Sequence, residues 1–169
     1  MMNTVLESKS AELNRFQDAL DAARAKGPGP YDALFNAPPE GMSVHEINAD
    51  KILTRVSPAH ERLLGYPPER MKGQPASSFV ILRESSEMAM NRKLSGSGAL
   101  EPYVRAFLKA DGSAITLLLI DRRILDAAGK VSGICTVLTA MPSPPATGTW
   151  TRPPGFPGAA GPGGSPVRS

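Results

Sequence analysis

The side chains that could do chemistry in this chain are few and lie far apart in the sequence. The two histidines are His45 and His60, the one cysteine is Cys135, and Tyr103 and Arg105 stand two residues apart in an apolar run. A serine–histidine–aspartate set, a phosphate-binding glycine loop and a metal site each need defined spacings, and none is recognisable here. Both histidines are interpreted as hydrogen-bonded or solvated side chains. The sequence therefore predicts no catalytic residues, no metal site and no enzyme.

Cys135 lies in an apolar run close to Ile134 and Val137. A lone cysteine excludes an internal disulfide and a multi-cysteine metal site, and it fits a reducing compartment. A redox-sensing thiol needs exposure and a lowered pKa, and no neighbouring residue favours either. Cys135 is therefore predicted to be a small, buried apolar side chain.

The charges of the chain are spread out rather than concentrated. The net charge is +3, with four basic and six acidic residues in 1–40, thirteen and ten in 41–141, and two basic residues in 142–169. Nucleic-acid binding needs a concentrated basic patch, so we expect no nucleic-acid partner. No stretch approaches the roughly 20 apolar residues that cross a bilayer, and charged residues interrupt the N-terminal segment. We therefore expect no membrane insertion and a cytoplasmic location.

Five apolar, β-prone runs predict the strands of one antiparallel sheet. They are residues 42–47, 52–56, 103–108, 115–125 and 131–139. Turns that contain Asp and Gly, at 110–113 and 126–130, join the last three strands into a meander. Short helices are predicted between the second and third strands, at 60–64, 67–71 and 85–94. This order favours an α+β fold, with a five-stranded antiparallel sheet and short helices on one of its faces.

The fourth strand is apolar on both faces. Its residues Ile115, Leu117 and Leu119 point one way, and Leu118 and Ile120 point the other. A half-solvated antiparallel sheet would alternate apolar with polar residues, so both faces need cover. The short helices can cover one face. The N-terminal helix or a second subunit is the expected cover for the other.

Residues 3–25 are predicted to form an amphipathic helix whose leucines recur every seven residues. This narrow seam has two readings of equal weight, a helix that packs on its own domain and a dimer seam of the coiled-coil type. We expect a homodimer. With two residues of the sheet, the candidate interface comprises Leu6, Leu13, Phe16, Leu20, Ala23, Leu118 and Ile120.

The chain divides into four predicted segments. Residues 1–26 form the helix, which the Gly-Pro repeat at 27–30 ends, and 27–40 form a linker. Residues 41–141 form the main domain. In 142–169, eight prolines and six glycines make up half of the 28 residues. Such a segment buries too little apolar surface to offset its ordering entropy, so a disordered tail is predicted.

Four short motifs follow one another in the middle of the chain. They are V-S-P-A at 56–59, R-L-L-G-Y-P-P-E-R-M-K-G at 62–73, L-K-A-D-G-S at 108–113 and D-A-A-G-K-V-S-G at 126–133. In this order they resemble the V-N-P-A, L-L-G-Y-x-x-E-E-M-x-G, R-K-D-G-S and D-x-x-G-K-V-x-G motifs of PAS sensory domains. The resemblance covers roughly residues 31–140.

The resemblance implies a five-stranded sheet with helices over one face, around a small pocket that holds a ligand or cofactor or is empty. The candidate pocket residues are Met42, Val44, Phe79, Met88, Tyr103, Phe107, Leu117, Leu119, Cys135 and Val137. The alternative is that these residues pack as an ordinary core. Tyr103 and Arg105 are candidates for orienting a carboxylate, or are surface residues.

The departures from the family concern cofactors. Flavin-binding light sensors of the family carry a cysteine on a mid-domain helix, and residues 73–77 here contain none. Haem-binding members usually ligate iron with a histidine on the long helix, and residues 85–94 lack one. Redox sensors that hold flavin noncovalently tend to use a core tryptophan, whereas Trp150 lies in the tail. No cofactor is predicted, and an unknown small-molecule ligand is left open.

The function that the resemblance implies is a sensory or interaction module of bacterial signal transduction. It would work by dimerisation and by repacking that depends on a ligand or on a signalling-protein partner. One alternative is a cofactor-bound redox or gas sensor that uses haem or flavin. Another is a small enzyme acting in the pocket. Because Pro142 follows the last strand, the N-terminal helix is favoured as the element that transmits the signal.

Overall fold

The computed structural model describes residues 2–96, 98 and 100–141, with side chains from residue 7 onward. The helices are α1 (Met2–Lys26), α2 (Pro28–Asn36), α3 (His60–Leu64), α4 (Pro68–Met71) and α5 (Arg83–Ser95), with a 3-10 turn at Ala76–Phe79. The strands are β1 (Met42–Asn48), β2 (Leu53–Val56), β3 (Tyr103–Leu108), β4 (Ala114–Leu125) and β5 (Val131–Ala140). The predicted disordered tail and the side chain of Leu6 lie outside the described residues.

The strands form one antiparallel sheet in the order β2-β1-β5-β4-β3. At both hairpins of the meander an aspartate carboxylate accepts backbone N–H groups, from Ser113 at Asp111 and from Ala128 and Lys130 at Asp126. Gly112 and Gly129 supply the left-handed conformation that these turns need, with φ of 90° and 83°. The predicted α+β fold and its five antiparallel strands are confirmed, and the predicted strand ends lie within one residue of those observed.

Helix α1 lies across the back of the sheet, the face opposite α3–α5. Its seam is buried against side chains from the three central strands; the cluster includes Leu13, Phe16, Leu20, Ala23, Val44, Leu118, Ile120 and Val137. Burying such a side chain contributes roughly 1.5–3 kcal/mol relative to leaving it exposed. The apolar back of β4 is therefore covered by the chain's own first helix.

The Gln17 side chain fixes α1 on the sheet by hydrogen bonds as well as by apolar contact. It is fully buried, and its amide donates to the backbone carbonyls of Ile120 (3.1 Å) and Cys135 (2.8 Å). These carbonyls belong to the neighbouring strands β4 and β5. A shift of α1 along the sheet would break both bonds inside an apolar layer, where an unmade bond is costly.

The segment predicted as a linker, 27–40, contains a second helix, α2, which corrects that prediction. Pro28 starts the helix with a backbone already suited to its first turn. Gly27 permits the sharp change of direction after α1, with φ of 134°. Tyr31 and Phe35 are buried in the same core as the α1 seam. These two aromatic side chains hold the segment against the sheet, and the helix overlaps the part of the linker, 31–37, where one or two helical turns are possible from the sequence.

The front of the sheet packs against α3, α4, α5 and the 3-10 turn. The buried residues of this second core are Ile47, Leu53, Val56, Leu64, Met71, Phe79, Val80, Phe107, Leu117, Leu119, Ile134 and Leu138. Helix α5 is the loosest member, because Ser86 is its one buried residue. The sheet is thus a shared wall between two apolar cores.

We expect Leu20→Ala to lower the free energy of unfolding by about 2–5 kcal/mol, because it leaves a cavity under α1. Arg15→Ala on the exposed side of the same helix is the matched control and should change the value by less than about 0.5 kcal/mol. Urea unfolding followed by circular dichroism measures both. Equal, small losses would contradict the packing of the seam on the sheet.

Candidate functional site

A cavity of about 40 Å³ lies between the front of the sheet and α4, α5 and the 3-10 turn. Its apolar walls include Ile47, Leu53, Phe79, Phe107, Leu119 and Ile134. Its polar side chains are His45, Ser86, Lys93, Tyr103, Arg105, Asp121 and Thr136. Polar groups that reach a largely apolar cavity of this kind are typical of small-molecule sites.

The structure brings together only part of the predicted pocket. Phe79, Tyr103, Phe107 and Leu119 line the cavity. Leu117 belongs to the same core without lining the cavity. The predictions for β3, β4 and the 3-10 turn therefore select the correct face.

Five of the pocket candidates need correction. Four of them point to the back of the sheet, where they pack under α1 and α2: Met42, Val44, Cys135 and Val137. Met88 lies on the outside of α5 and is 59% exposed. On β1 and β5 both faces carry apolar residues, with Val44 and Val137 in the α1 core and Ile47, Ile134 and Leu138 in the front core, so apolar character alone does not identify the pocket face.

The pairing of β1 with β5 shows why the choice of face fails there. Val44 lies opposite Val137 and His45 opposite Thr136, so neighbouring pairs point to opposite faces. The valine pair faces α1, and the histidine–threonine pair faces the cavity. The cavity residues that sequence reasoning missed are thus polar side chains at strand positions next to residues that face α1. The alternation was the signal that could have found them.

Asp121 is the centre of the polar wall. It is 5% exposed, and its two carboxylate oxygens accept from the Thr136 hydroxyl (2.6 Å) and the Lys93 ammonium (2.5 Å). Lys93 comes from α5, and its Nζ lies 3.8 Å from the centre of the Tyr103 ring. This buried ion pair is the strongest polar link between α5 and the sheet. Breaking one partner of such a pair leaves the other charge uncompensated.

A chain of hydrogen bonds runs behind the cavity through two serines and both histidines. The Ser57 hydroxyl lies 2.6 Å from that of Ser43 and accepts from the Val44 N–H, and Ser43 bonds to Nδ1 of His60. Nε2 of His60 lies 3.1 Å from Nδ1 of His45, which lines the cavity. The prediction of hydrogen-bonded histidines fits this network.

Burial sets the protonation states around the cavity. It lowers the pKa of His45 to about 4, against a partly compensating effect of the Asp121 charge. Burial, reinforced by His45, lowers the pKa of His60 well below its ordinary value. Burial and the Asp121 charge raise the pKa of Tyr103 well above its usual range. At neutral pH both imidazoles are therefore uncharged and the Tyr103 hydroxyl keeps its proton.

A second polar cluster lies under the α1–α2 corner and was not foreseen. The Tyr31 hydroxyl donates to the Glu46 carboxylate and accepts from Arg24 at 2.8 Å. Cys135 lies 3.7 Å from the same hydroxyl, and burial raises the pKa of its thiol to about 12. The thiol is therefore protonated at neutral pH, which agrees with its interpretation as a buried apolar side chain.

The candidate dimer residues with described side chains are all buried within one chain. Leu13, Phe16, Leu20 and Ala23 of α1 pack on Leu118 and Ile120 of the same sheet. The seam is interpreted from the sequence either as packing on its own domain or as a dimer seam. In the structure the helix packs on its own domain. Leu6 belongs to α1, but its side chain lies outside the described part.

Comparison with known proteins gives matches in structure only. No protein-family model matches the chain, and no curated protein does. A PAS domain from Colwellia psychrerythraea aligns with a TM-score of 0.56 at 14% identity, over 64% of this chain and 92% of that one. The PAS domain of an HTR-like protein from Haloarcula marismortui aligns with a TM-score of 0.53 at 18% identity, over 75% and 98%. This chain has the PAS fold.

The PAS cavity of this chain does not fit the cofactors considered above. Pockets that enclose organic ligands usually measure about 300–1,000 Å³, whereas this one measures about 40 Å³. Neither haem nor flavin fits a space of that size, and α5 carries no histidine to reach a haem iron. Among the described residues, no helix is long and apolar enough to cross a membrane.

The buried histidines predict that this domain loses stability in mild acid. His45 binds a proton near pH 6.5 when exposed but only near pH 4 in the fold. Between these values the unfolded chain binds more protons, so the free energy of unfolding falls as the pH is lowered through that window. The His45 contribution to the fall is about 3 kcal/mol, and His60 adds in the same direction.

Urea unfolding at pH 7, 6, 5 and 4.5 measures this slope, and His45→Gln is the test variant. The unfolding free energy of this variant should depend less steeply on pH than that of the unaltered chain. The reason is that His60 is then the one remaining histidine whose pKa is lowered by burial. Identical slopes for the two proteins would show that His45 titrates normally in the fold.

Proposed function

We propose that this chain is a PAS sensory module that takes a small molecule into the cavity and responds by repacking α1. The observation that carries the proposal is the cavity with polar and apolar walls, where the Lys93–Asp121 pair joins α5 to the sheet. The module works in bacterial signal transduction, in the cytoplasm, and acts on a signalling-protein partner. It performs no catalytic step itself.

The sheet provides a short path from the cavity to α1. On β4, Leu119 and Asp121 face the cavity, whereas Leu118 and Ile120 contact the α1 core. On β5, Thr136 faces the cavity and its neighbours Cys135 and Val137 face α1. A ligand that shifts β4 or β5 by a few tenths of an ångström therefore changes the surface on which α1 packs, because close-packed layers transmit such displacements.

Helix α5 is the element that must move to admit a ligand. It forms the outer wall of the cavity, with Ala89, Met90 and Lys93 directed inward. Ser86 is its one buried residue, and its other links to the fold are mostly polar. Lys93 bonds to Asp121, Lys51 bonds to Asn91 and lies 3.5 Å from Glu87, Glu87 also accepts from Ser77, and Arg123 donates to the Lys93 carbonyl. Weakly packed elements of this kind open at low free-energy cost.

Cavity filling tests the proposal. We expect compounds from a library of small neutral, cationic and anionic metabolites to raise the melting temperature of the unaltered chain. Ala89→Leu, which fills the cavity, should abolish the shift, and Ala25→Leu on the exposed side of α1 should preserve it. A saturating ligand at 100 times its Kd adds about 2.7 kcal/mol of stability. The proposal fails if nothing binds, or if Ala89→Leu binds as well as the unaltered chain.

The proposed module is also a homodimer. Because the seam of α1 is occupied by its own sheet, we place the interface on the exposed side of that helix. We expect sedimentation equilibrium to give the dimer mass at high concentration. Ala22→Arg, at an exposed α1 position, should shift the equilibrium toward monomer, and Arg62→Gln on α3 should not. A monomer at every concentration would refute the dimer without affecting ligand binding.

A further inference from the structure

The cavity contains one excess positive charge, and Arg105 carries it. Lys93 and Asp121 neutralise each other at 2.5 Å, and both histidines behind the cavity are uncharged at neutral pH. Arg105 lines the cavity and forms no ion pair with any of the described residues. Its guanidinium lies 5.4 Å from the centre of the Tyr103 ring. This ring is uncharged, so it does not neutralise the guanidinium. A partly buried cation without a counter-ion is costly and favours an anionic ligand.

The backbone fixes the direction of these two side chains. Arg105 lies opposite Leu117 and Tyr103 opposite Leu119 in the β3–β4 ladder, so both share the front face of the sheet. The Tyr103 hydroxyl keeps its proton and interacts with both the Asp121 carboxylate and Arg105. A guanidinium next to a neutral hydroxyl donor matches the two oxygens of a carboxylate.

We propose that the ligand of this cavity is a small monocarboxylate of two or three carbons, held by Arg105 with Tyr103 as a second donor. This inference rests on the proposed sensory function of the same cavity. The volume of about 40 Å³ limits the ligand to a few non-hydrogen atoms. The charge of the cavity then balances to zero, because the single carboxylate offsets the single unpaired guanidinium.

The walls discriminate between carboxylates and other anions. Phe79, Phe107 and Leu119 surround the space with apolar carbon, which suits a short alkyl group. Sulfate or phosphate would have to lose its hydration against these walls and would leave most of its oxygens without donors. The Asp121 carboxylate repels a ligand only weakly, since both of its oxygens are bound by Lys93 and Thr136.

Titration calorimetry at pH 7 with acetate, propionate, propionamide, nitrate and sulfate tests the inference on the intact chain. We expect propionate to bind, and propionamide, which has the same shape without the charge, to bind at least tenfold more weakly. Arg105→Gln should weaken propionate binding tenfold or more, and Arg105→Lys should weaken it less. Arg62→Gln removes an exposed charge on α3 and should leave binding unchanged.

Several outcomes would overturn the inference. Equal affinity for propionate and propionamide would mean that charge is not recognised. Affinity for nitrate or sulfate equal to that for propionate would indicate a nonselective anion site. If neutral or cationic library compounds bind in the cavity and carboxylates do not, the ligand class is wrong while the sensory function stands. If no compound binds at all, both fail. The comparison of propionate with propionamide uses the unaltered chain, so it remains decisive even if the Arg105 variants unfold.

Discussion

The fold depends on a central sheet that is apolar on both faces. Strands β4 and β5 place Leu118 and Val137 on one side and Leu119 and Leu138 on the other, all buried. Water must therefore be excluded from both faces at once. The short helices α3–α5 cover the front and α1 covers the back, so a five-stranded sheet that could have been half solvated becomes a middle layer. The same strands also form the shortest connection between the cavity and α1.

The buried polar groups are what give these two cores a defined geometry. Apolar contact alone tolerates sliding, whereas a buried donor or acceptor must meet one particular partner. Gln17 fixes α1 to carbonyls on two strands, and Tyr31 with Glu46 fixes the corner that follows. On the front, Lys93 fixes α5 to Asp121. Each covering layer is thus held in register by a few hydrogen bonds made to the sheet.

The sequence was sufficient for the fold because its signals are local. Asp and Gly at fixed offsets define the hairpins, and the strand runs between them are long and β-prone, so strand ends could be placed within one residue. The double-sided apolar character of β4 also predicted that α1 or a second subunit must cover the back. That inference needs only the period of two along a strand.

The site was harder to predict because its signals depend on which face each strand turns inward. On β1 and β5 both faces carry buried residues, and Val44 and Val137 pack under α1 while His45 and Thr136 reach the cavity. A rule that sends the apolar residues to the pocket selects the wrong set. Met88 failed for a related reason: α5 has no clear apolar stripe, so its inward side could not be read from the sequence.

The two layers that cover the sheet are packed unequally. Helix α1 buries a continuous seam and a glutamine, so lifting it from the sheet exposes several large side chains at once. Helix α5 buries one serine and depends on Lys93, Met90 and a few surface contacts. At roughly 1.5–3 kcal/mol for each buried apolar side chain, α5 opens far more readily than α1 detaches. The α5 layer is therefore the side of the sheet that opens more easily, and the α1 layer is the more firmly packed one.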